Sequence, residues 1–375
     1  MKVLKSAFIH EDLKNRIYSG EFNASSRLPS EKELAEYYGC SRPTLRKALA
    51  SLEGCNLIAR QQGVGSFLTS KGQHSSHEIQ TASENSALFG IVFPGLGMSY
   101  VFDMFCSEVA RILAQKDCSL VWGGSLVPAS PTLWQDVRQI CSKYIELNVD
   151  GVFFSPIEYT PLRDEINSFI VETFDRAHVP VVLIDSDIYD FPKRSAHDLV
   201  SLDHVQSSYI LAKYMITQNI QNLHFLSPPM SARTIRLRQI GLREALFEAG
   251  IPIDPTRFHE GDPKDVQFIQ SILDTGAQGI ICSNDGTAIA LLETLTSLGV
   301  SVPKDLIVSG FDNLSYLSHI KTPLTSIAQP TEMISSEAVR MMLDRIKNPA
   351  RPPRTLRIAG VLVERRSTKY GYDGD

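Results

Sequence analysis

Residues 29–49 of the chain read PSEKELAEYYGCSRPTLRKAL, and this stretch predicts two short helices joined by a tight turn. Ser30 suits the N-terminus of the first helix, because its hydroxyl can accept from backbone N–H groups that lack a partner within the helix. Gly39 permits the left-handed backbone conformation that ends this helix. Ser41 can cap the second helix, and Pro43 fits its first turn because it has no N–H to leave unpaired. Two helices joined in this way form a helix-turn-helix.

The second helix separates an apolar side from a basic one. Its apolar positions share one seam and are expected in a core: Leu45, Ala48, Leu49 and Leu52. Arg42 and Arg46 lie one turn apart near its N-terminus, the end that a recognition helix inserts into the major groove of DNA. An arginine there can bond guanine O6 and N7 together. A solvated helix face would carry the same charges, so this feature alone leaves both interpretations open.

Charge and hairpin signals favour the DNA-binding interpretation. Residues 1–70 hold ten Lys and Arg against seven Asp and Glu, although the whole chain has a net charge of −5. The positive excess is therefore confined to the N-terminal part, as expected of a small module that faces phosphate. Residues 57–68 then form two β-like runs around a glycine-containing turn, which predicts a wing hairpin.

In order, these motifs resemble a GntR-type winged helix. The stretch from about Ile17 to Leu68 contains R-L-P-S-E-x-E-L-A, S-R-x-T-x-R-x-A-L, L-E-x-x-x-L-I and G-x-G-S-F. The resemblance implies that Arg42 reads bases and that Gln62 and Gly63 form a wing tip in the minor groove. It also implies further contacts, mostly to the DNA backbone, from Arg27, Lys32, Ser41, Thr44 and Arg46.

The rest of the chain follows a different pattern. Residues 71–87 are polar and lack periodicity, which predicts a flexible linker. From Leu88 onward, short apolar runs alternate with amphipathic stretches, the pattern of βαβ units around a parallel sheet. The polar interval 186–197 divides seven such runs into four and three, which predicts two lobes.

Polar residues follow several of the apolar runs directly. Asn284 and Asp285 come after the run 279–282, Asp312 follows 306–309, and Gln329 follows 324–328. Ligands of open α/β sheets bind beyond the carboxyl ends of the strands, so these side chains are expected to converge there. Fixed donors and acceptors of this kind suit the hydroxyl groups of a sugar.

This region resembles the effector domain of LacI/GalR-type repressors, which is similar to periplasmic sugar-binding proteins. The resemblance covers residues 88 to about 367 and includes D-G-V at 150–152, V-P-V-V-L-I-D at 179–185, R-x-R-x-x-G-x-x-x-A at 236–245, G-F-D at 310–312, P-L-T-S-I at 323–327 and V-E-R-R-S-T at 363–368. It implies effector contacts by Arg238, Asn284 and Asp312 first, and by Asp185, Asp203 and Gln329 next.

Other residues near these motifs have two possible roles. Tyr100, Phe102 and Phe153 could cover the apolar side of a sugar ring, but a core position is the stronger expectation for each. We expect Asp285 to cap the helix that follows it. Ser155-Pro156 can be a turn without a ligand role, and Arg236 an ordinary surface charge.

We therefore expect an α/β protein with three parts. These are a winged helix-turn-helix domain at residues 1–70, a linker at 71–87 and a periplasmic-binding-protein-like domain with parallel sheets at 88–375. Lobe 1 is expected to comprise about 88–196 and 326–352, and lobe 2 about 197–325 and 353–368. A GntR-type head on a LacI-type sensor is similar to AraR-type regulators.

The combined resemblance implies a sequence-specific repressor of carbohydrate use. It implies a homodimer on a palindromic operator in double-stranded DNA, with a small sugar or sugar phosphate as effector and a pentose or deoxyhexose favoured. The alternatives are a ligand-independent dimeric DNA-binding protein and a sugar-modifying enzyme. An enzyme is disfavoured because the sequence lacks G-x-S-x-G and the Gly-rich phosphate loops.

The apolar runs and the cysteine spacing of the sequence indicate where the protein is located and whether a metal site is expected. The N-terminus has no apolar run long enough for a signal peptide, and no segment predicts a membrane span, so we expect a cytoplasmic protein without membrane contact. The six cysteines include no C-x-x-C pair and no cysteine-histidine cluster. Reduced thiols are expected, and neither a metal site nor a cofactor is.

Overall fold

A computed structural model of the chain describes residues 28–54, 57–61, 65–69, 86–95 and 100–369, together with Ile9, Asp12, Leu13, Ile17 and Phe22. These residues belong to two compact units, 1–85 and 86–375. Of the predicted linker at 71–87, only the last two residues are among those described. Along the described part of the chain, no helix is both long enough and apolar enough to cross a membrane.

The small unit contains the predicted helix-turn-helix and wing strands. Helix α1 spans Glu31–Tyr37 and α2 spans Arg42–Gly54, and strands β1 (Ile58–Gln61) and β2 (Gly65–Leu68) pair antiparallel. Ser30 caps α1 as expected: its hydroxyl accepts from the Glu33 N–H, and the Glu33 carboxylate accepts from the Ser30 N–H. Gly39 has a φ of 53°, as the turn requires. The seam of α2 is buried against α1 and the strands.

The large unit begins with a six-stranded parallel sheet. Its strands are β3 (Leu88–Val92), β4 (Ser119–Trp122), β5 (Gly151–Phe154), β6 (Val181–Ile184), β7 (Asp198–Leu202) and β13 (Thr355–Ile358). Their spatial order is β13-β7-β6-β5-β3-β4. Helices α4 (Leu133–Glu146) and α5 (Arg163–Arg176) cover one face, and α3 (Tyr100–Ala114) and α10 (Thr331–Lys347) cover the other. Apolar side chains on both faces make this sheet the core of the first lobe.

A four-stranded parallel sheet forms the second lobe. Its order is β11-β10-β8-β9, with β8 at Leu223–Ser227, β9 at Phe258–Glu260, β10 at Gly279–Cys282 and β11 at Ile307–Ser309. Helices α6 (His204–Thr217) and α7 (Thr234–Glu248) pack on one face, and α8 (Val266–Leu273) and α9 (Asp285–Ser297) pack on the other. Two parallel sheets covered by helices confirm the predicted fold class.

The chain passes between the lobes three times. It leaves β7 of the first sheet for α6, enters α10 after β12 (Ser326–Ala328), and passes from β13 to β14 (Val361–Val363). Strands β12 and β14 pair antiparallel, and bridges from Ser309 to Thr325 and from Asp312 to Ala328 attach this pair to the second lobe. The three passages therefore lie where a small relative rotation of the lobes must be absorbed.

These passages correct the predicted lobe boundaries. Residues 198–202, placed in lobe 2 from the sequence, pair with β6, and 355–358 pair with β7, so both belong to the first sheet. Residues 326–328, placed in lobe 1, pair with β14 instead. The sequence did not predict β7 as a strand of the first sheet because it begins with the charged residue Asp198. Asp198 can be buried there because Arg345 and Arg351 neutralise its carboxylate.

Candidate functional site

A cavity of about 130 Å³ opens where the carboxyl ends of both sheets face each other. Its walls come from the first lobe, from the second lobe and from the segment between β12 and α10. The lining residues are Pro94, Val101, Phe102, Phe105, Ser155, Pro156, Glu158, Tyr159, Ile184, Asp185, Ser186, Ser201, Leu202, Ala232, Thr234, Ile235, Arg238, Asn284, Asp312, Gln329, Thr331 and Ile334. A cavity shared between two hinged lobes can bind a small molecule and respond to it by closing.

Arg238 of α7 is the central charged group of this cavity. Its side chain is almost fully buried, and the guanidinium lies 3.8 Å from the centre of the Phe311 ring, which it stacks upon. Nη1 donates to the carbonyl oxygen of Ser283, and Nε donates to Nδ1 of His204 at 3.4 Å. Nη2 lies 3.7 Å from Oδ1 of Asp312. The guanidinium is therefore held in one orientation before any ligand arrives.

His204 links Arg238 to Asp185 across the first passage between the lobes. Its Nε2 lies 3.1 Å from Oδ1 of Asp185, at the end of β6. The neutral tautomer with its proton on Nε2 satisfies both contacts, because Nδ1 is then free to accept from Arg238. Burial disfavours the charged form of Asp185, but the hydrogen bond from His204 and the positive charge of Arg238 favour it, and the pKa of Asp185 is lowered. An ionised acceptor is thus fixed in the cavity wall.

Asp312 and Asn284 face the same space from the second lobe. Asp312 has a φ of 113°, and its Oδ1 accepts from Nε2 of Gln329 at 2.7 Å. Burial raises the pKa of Asp312, and Arg238 opposes this effect. Asn284 caps α9, with its Oδ1 accepting from the Thr287 N–H at 2.8 Å. Gln329 lies at the passage from β12 to α10, so the hydrogen bond from Gln329 ties the cavity to that passage.

The structure brings most of the sequence-predicted effector residues together. Arg238, Asn284, Asp312, Asp185, Gln329 and Phe102 all line the cavity. Phe102 also packs edge-on against Phe93, at 5.3 Å between ring centres, so it serves both wall and core. Tyr100 begins α3, but its side chain lies outside the described residues.

Two residues named as possible effector contacts do not line the cavity: the prediction for Asp203 is wrong, and Phe153 takes the core position that was the stronger expectation for it. Asp203 does not line the cavity: its carboxylate accepts from the Gln206 N–H at 3.0 Å and caps α6. Phe153 is fully buried in the middle of β5 and packs against Phe89 in the core. The error at Asp203 arises because its position after a strand does not show whether its side chain points into the cavity or caps the next helix.

Two minor expectations are also corrected. Asp285 does not cap α9, because Asn284 does; the buried Asp285 carboxylate instead accepts from Ser326 Oγ at 2.7 Å and from the Leu314 N–H at 2.9 Å. Burial, followed by the nearby Asp312 charge, raises the pKa of Asp285 to about 7. Ser155 and Pro156 do line the cavity. Arg236 is exposed on α7, as expected of a surface charge.

Sequence reasoning missed two charged participants and the linking histidine. Glu158 and Tyr159 line the cavity after β5, and Arg233 holds Glu158 from the second lobe. His204 lies two residues after Leu202, the last residue of β7 in the first sheet. The available signal was position: Glu158 and His204 both follow the carboxyl end of a strand, the rule that identified Asn284 and Asp312.

The head presents a basic surface on its second helix. Arg42 is exposed at the first position of α2, and Lys32 is exposed on α1. Ser41 Oγ and Thr44 Oγ1 are 2.8 Å apart, so these hydroxyls bond each other. Nε of Arg46 lies 2.9 Å from Oε2 of Glu31, an ion pair that a DNA phosphate would have to displace. The predicted contacts Arg27, Gln62 and Gly63 lie outside the described residues.

Comparison with known proteins matches both parts of the chain. Residues 5–68 match the family described as bacterial regulatory proteins, gntR family, and residues 212–368 match the periplasmic binding protein-like domain. The HTH-type transcriptional repressor PurR of Klebsiella pneumoniae is 26% identical over 278 residues, which cover 72% of this chain and 76% of the relative. The PurR repressor of Pasteurella multocida is 26% identical over 240 residues, 63% of this chain and 69% of the relative.

The chain is a transcriptional regulator that combines a gntR-family head with a periplasmic binding protein-like domain, and it is similar to repressors of the LacI/GalR type. The regulator shares its fold with CcpA of Lactococcus lactis, at a TM-score of 0.64, 21% identity, and coverage of 76% of this chain and all of that one. A CelR–cellobiose complex matches 91% of the regulator and all of that chain, with a TM-score of 0.64 and 20% identity. The match to a LacI family regulator from Enterococcus faecium with bound ribose covers 75% of this chain and 98% of that one, with a TM-score of 0.59 and 21% identity.

Within the described residues, no group of three or more histidine, cysteine and acidic side chains is placed to hold a metal ion. The described cysteines carry free thiols, and burial raises the pKa of Cys141 to about 12. The cavity wall offers a ligand charged groups, hydrogen-bonding groups and apolar side chains.

Proposed function

We propose that the regulator is a repressor whose affinity for its operator changes when a small neutral sugar binds between the two lobes. The observation that carries this proposal is the cavity wall, in which Arg238, Asp312 and Asn284 of the second lobe face Asp185 of the first. A ligand that bonds both sides favours the closed arrangement, and that differential affinity is what shifts a two-state equilibrium. We propose repression rather than activation because the PurR relatives are named transcriptional repressors.

The charges of the cavity favour a neutral ligand over an anionic one. Among the described lining residues, three are carboxylates (Glu158, Asp185 and Asp312), and Arg238 is the single permanent cation. Two N–H groups of Arg238 are already committed, one to Ser283 and one to His204. A sugar phosphate would bring charge of the same sign as the wall and would find no uncommitted basic cluster. Hydroxyl groups, in contrast, can donate to carboxylates and accept from Nη2.

Size and apolar contacts favour a monosaccharide. The volume of about 130 Å³ lies below the range of roughly 300–1,000 Å³ that is typical of pockets for drug-sized ligands. Phe102, Phe105 and Ile334 supply an apolar wall opposite the polar groups, suited to the C–H face or the methyl group of a sugar. We therefore favour a pentose or a 6-deoxyhexose. Ribose, the ligand of one structure that the regulator resembles, is included in the search.

The head would read the operator through α2. Arg42 is the proposed base reader, because it is exposed at the N-terminal end of the helix that enters the major groove. Arg27, Lys32, Ser41, Thr44 and Arg46 would contact the DNA backbone, and Gln62 and Gly63 would contact the minor groove. A homodimer would place two heads on a two-fold symmetric operator. Closure of the lobes would then alter how well both heads fit the two half-sites.

A monosaccharide panel tests the proposal directly. The full chain is screened by thermal shift with arabinose, fucose, rhamnose, ribose and their phosphates, and hits are confirmed by calorimetry. Specific stabilisation by a neutral sugar, accompanied by changed binding to the promoter fragment, is the expected result. Stabilisation by phosphates alone would contradict the neutral-ligand argument. Operator binding that no sugar alters would indicate a ligand-independent DNA-binding protein, and turnover of a sugar would indicate an enzyme.

A further inference from the structure

An ion cluster joins the two lobes beside the cavity. Arg233 precedes α7 in the second lobe, and Glu158 follows β5 in the first. Nη1 of Arg233 donates to both carboxylate oxygens of Glu158, at 3.2 and 3.1 Å, and the Arg233 backbone N–H lies 3.4 Å from Oε1. Nη2 of Arg233 also bonds the carboxylate of Asp164. Nε lies 3.4 Å from Oδ1 of Asp190.

The cluster is buried at its centre and asymmetric between the lobes. The side chains of Arg233 and Glu158 are only 4% and 6% exposed. The first lobe supplies three carboxylates and one guanidinium, that of Arg163, whose Nη1 lies 3.3 Å from Glu158 Oε2. Without Arg233, the first-lobe group would carry an excess of two negative charges. Arg233 reduces that excess, and it can do so only while the lobes are close together.

Burial makes this bridge sensitive to separation of the lobes. A buried ion pair is favourable when its geometry and hydrogen bonds are complete, and removal of one partner leaves an uncompensated charge. Opening of the cleft would instead return Arg233 and Glu158 to water, where both are stable apart. The bridge therefore contributes less to the stability of either lobe than to the balance between the open and closed arrangements.

The bridge also connects directly to the proposed effector site. Glu158 lines the cavity, whereas Arg233 does not, and Thr234, Ile235 and Arg238 line the cavity from the helix that Arg233 precedes. We propose that Arg233 is a positioning residue that holds Glu158 in the cavity wall and biases the lobes toward the closed arrangement. The effect on effector affinity rests on the proposed function, but the bias toward closure does not.

Hydrogen exchange of the ligand-free full chain tests the closure bias. Arg233→Met removes the charge and keeps a long side chain, and Arg236→Met is the matched control because Arg236 is exposed three residues later, in the first turn of α7. We expect Arg233→Met to lose protection at residues 156–164 of the opposite lobe as well as at 228–234, while the core strand β8 stays protected. Unchanged exchange at 156–164, or the same loss in Arg236→Met, would overturn the proposal.

Reciprocal and conservative variants separate positioning from local damage. Glu158→Gln should reduce protection at residues 228–234, and the double variant Glu158→Gln with Arg233→Met should be no more exposed than either single one. Arg233→Lys should recover part of the protection. Additive losses in the double variant, or no effect of Glu158→Gln on the second lobe, would contradict the bridge. If Arg233→Met does not fold, the Glu158→Gln result decides.

The proposed effect of Arg233 on effector affinity is measured separately, by calorimetry with the sugar identified in the panel. Arg233→Met should bind that sugar roughly tenfold more weakly, within the range typical of coupled conformational equilibria. An unchanged affinity would refute the role in effector binding. If no sugar binds the unmodified protein, the proposed function fails, and the exchange results still decide the role of Arg233 in closure.

Discussion

Replacement of Arg238 by methionine tests the proposed effector site at its central group. Methionine keeps an apolar contact with Phe311 but removes the donors to Ser283 and His204 and the positive charge near Asp312. Nη2 makes no hydrogen bond among the described residues that would compete with a ligand. Loss of one charge-assisted hydrogen bond from Nη2 to a sugar hydroxyl costs about 1.5–3 kcal/mol. The sugar should therefore bind roughly 10- to 150-fold more weakly.

The assay pairs calorimetry with operator binding. Fluorescence anisotropy of a labelled promoter fragment, without sugar, should give the same affinity for Arg238→Met and for the unmodified protein, since Arg238 belongs to the sensor. Arg236→Met provides the control, because Arg236 lies two residues away on an exposed position of the same helix. Equal sugar affinity in Arg238→Met and Arg236→Met would refute the assignment. A large loss of operator affinity without sugar would show that Arg238 acts through stability instead.

Three further substitutions test the head, the core of the first lobe and the packing next to the cavity in the second lobe. Arg42→Ala should cost about 1–3 kcal/mol of specific operator binding and relax sequence preference, measured by competition with mutated fragments; retained discrimination would remove it as base reader. Asp198→Asn should destabilise the protein by about 3 kcal/mol, because the buried carboxylate accepts from Arg345, Arg351 and the Arg354 N–H. Burial alone would raise the pKa of Asp198, but the hydrogen bonds from these arginines lower it. The stabilising effect of the Asp198 carboxylate on the fold is therefore present above about pH 4 and is lost as the pH falls further. Thermal melts at pH 7 and pH 3 should therefore differ less for Asp198→Asn than for exposed Asp117→Asn, and an equal pH dependence would contradict this account. Gly310→Ala, two residues before Asp312 of the cavity, would place a Cβ 2.2 Å from Oδ1 of Asp285 and should cost about 1–3 kcal/mol with weaker sugar binding; a normal melt and normal binding would show that the packing around Asp285 adjusts.

Much of the fold could be predicted from the sequence because it depends on patterns between neighbouring residues. Alternating apolar runs and amphipathic stretches predicted the parallel sheets, and the capping chemistry of Ser30 and the turn at Gly39 predicted the helix-turn-helix. The lobe boundaries depended on pairing between distant strands. Asp198 opens a strand of the first sheet but looks like loop sequence, because the arginines that neutralise it lie some 150 residues later.

In the candidate site too, residues with a local signal could be predicted, and residues whose role depends on distant contacts could not. The rule that ligands lie beyond strand ends identified Asn284, Asp312 and Gln329, since each directly follows an apolar run. Asp203 also follows a strand, but it caps the next helix, while its neighbour His204 turns inward to Arg238. A choice between two adjacent polar residues depends on the direction in which the helix leaves the strand. The partnership of Glu158 with Arg233 depends on closure of the lobes, which no local pattern encodes.

Coupling between the cavity and the head is measured most directly by an operator titration with and without sugar. The full chain is titrated into a labelled promoter fragment at fixed salt, in the absence of sugar and at a concentration that calorimetry shows to be saturating. We predict that the saturating sugar weakens operator affinity by about tenfold or more, and that Arg238→Met abolishes this shift at the same concentration. Identical operator affinity with the cavity empty and with the cavity filled would contradict the central claim.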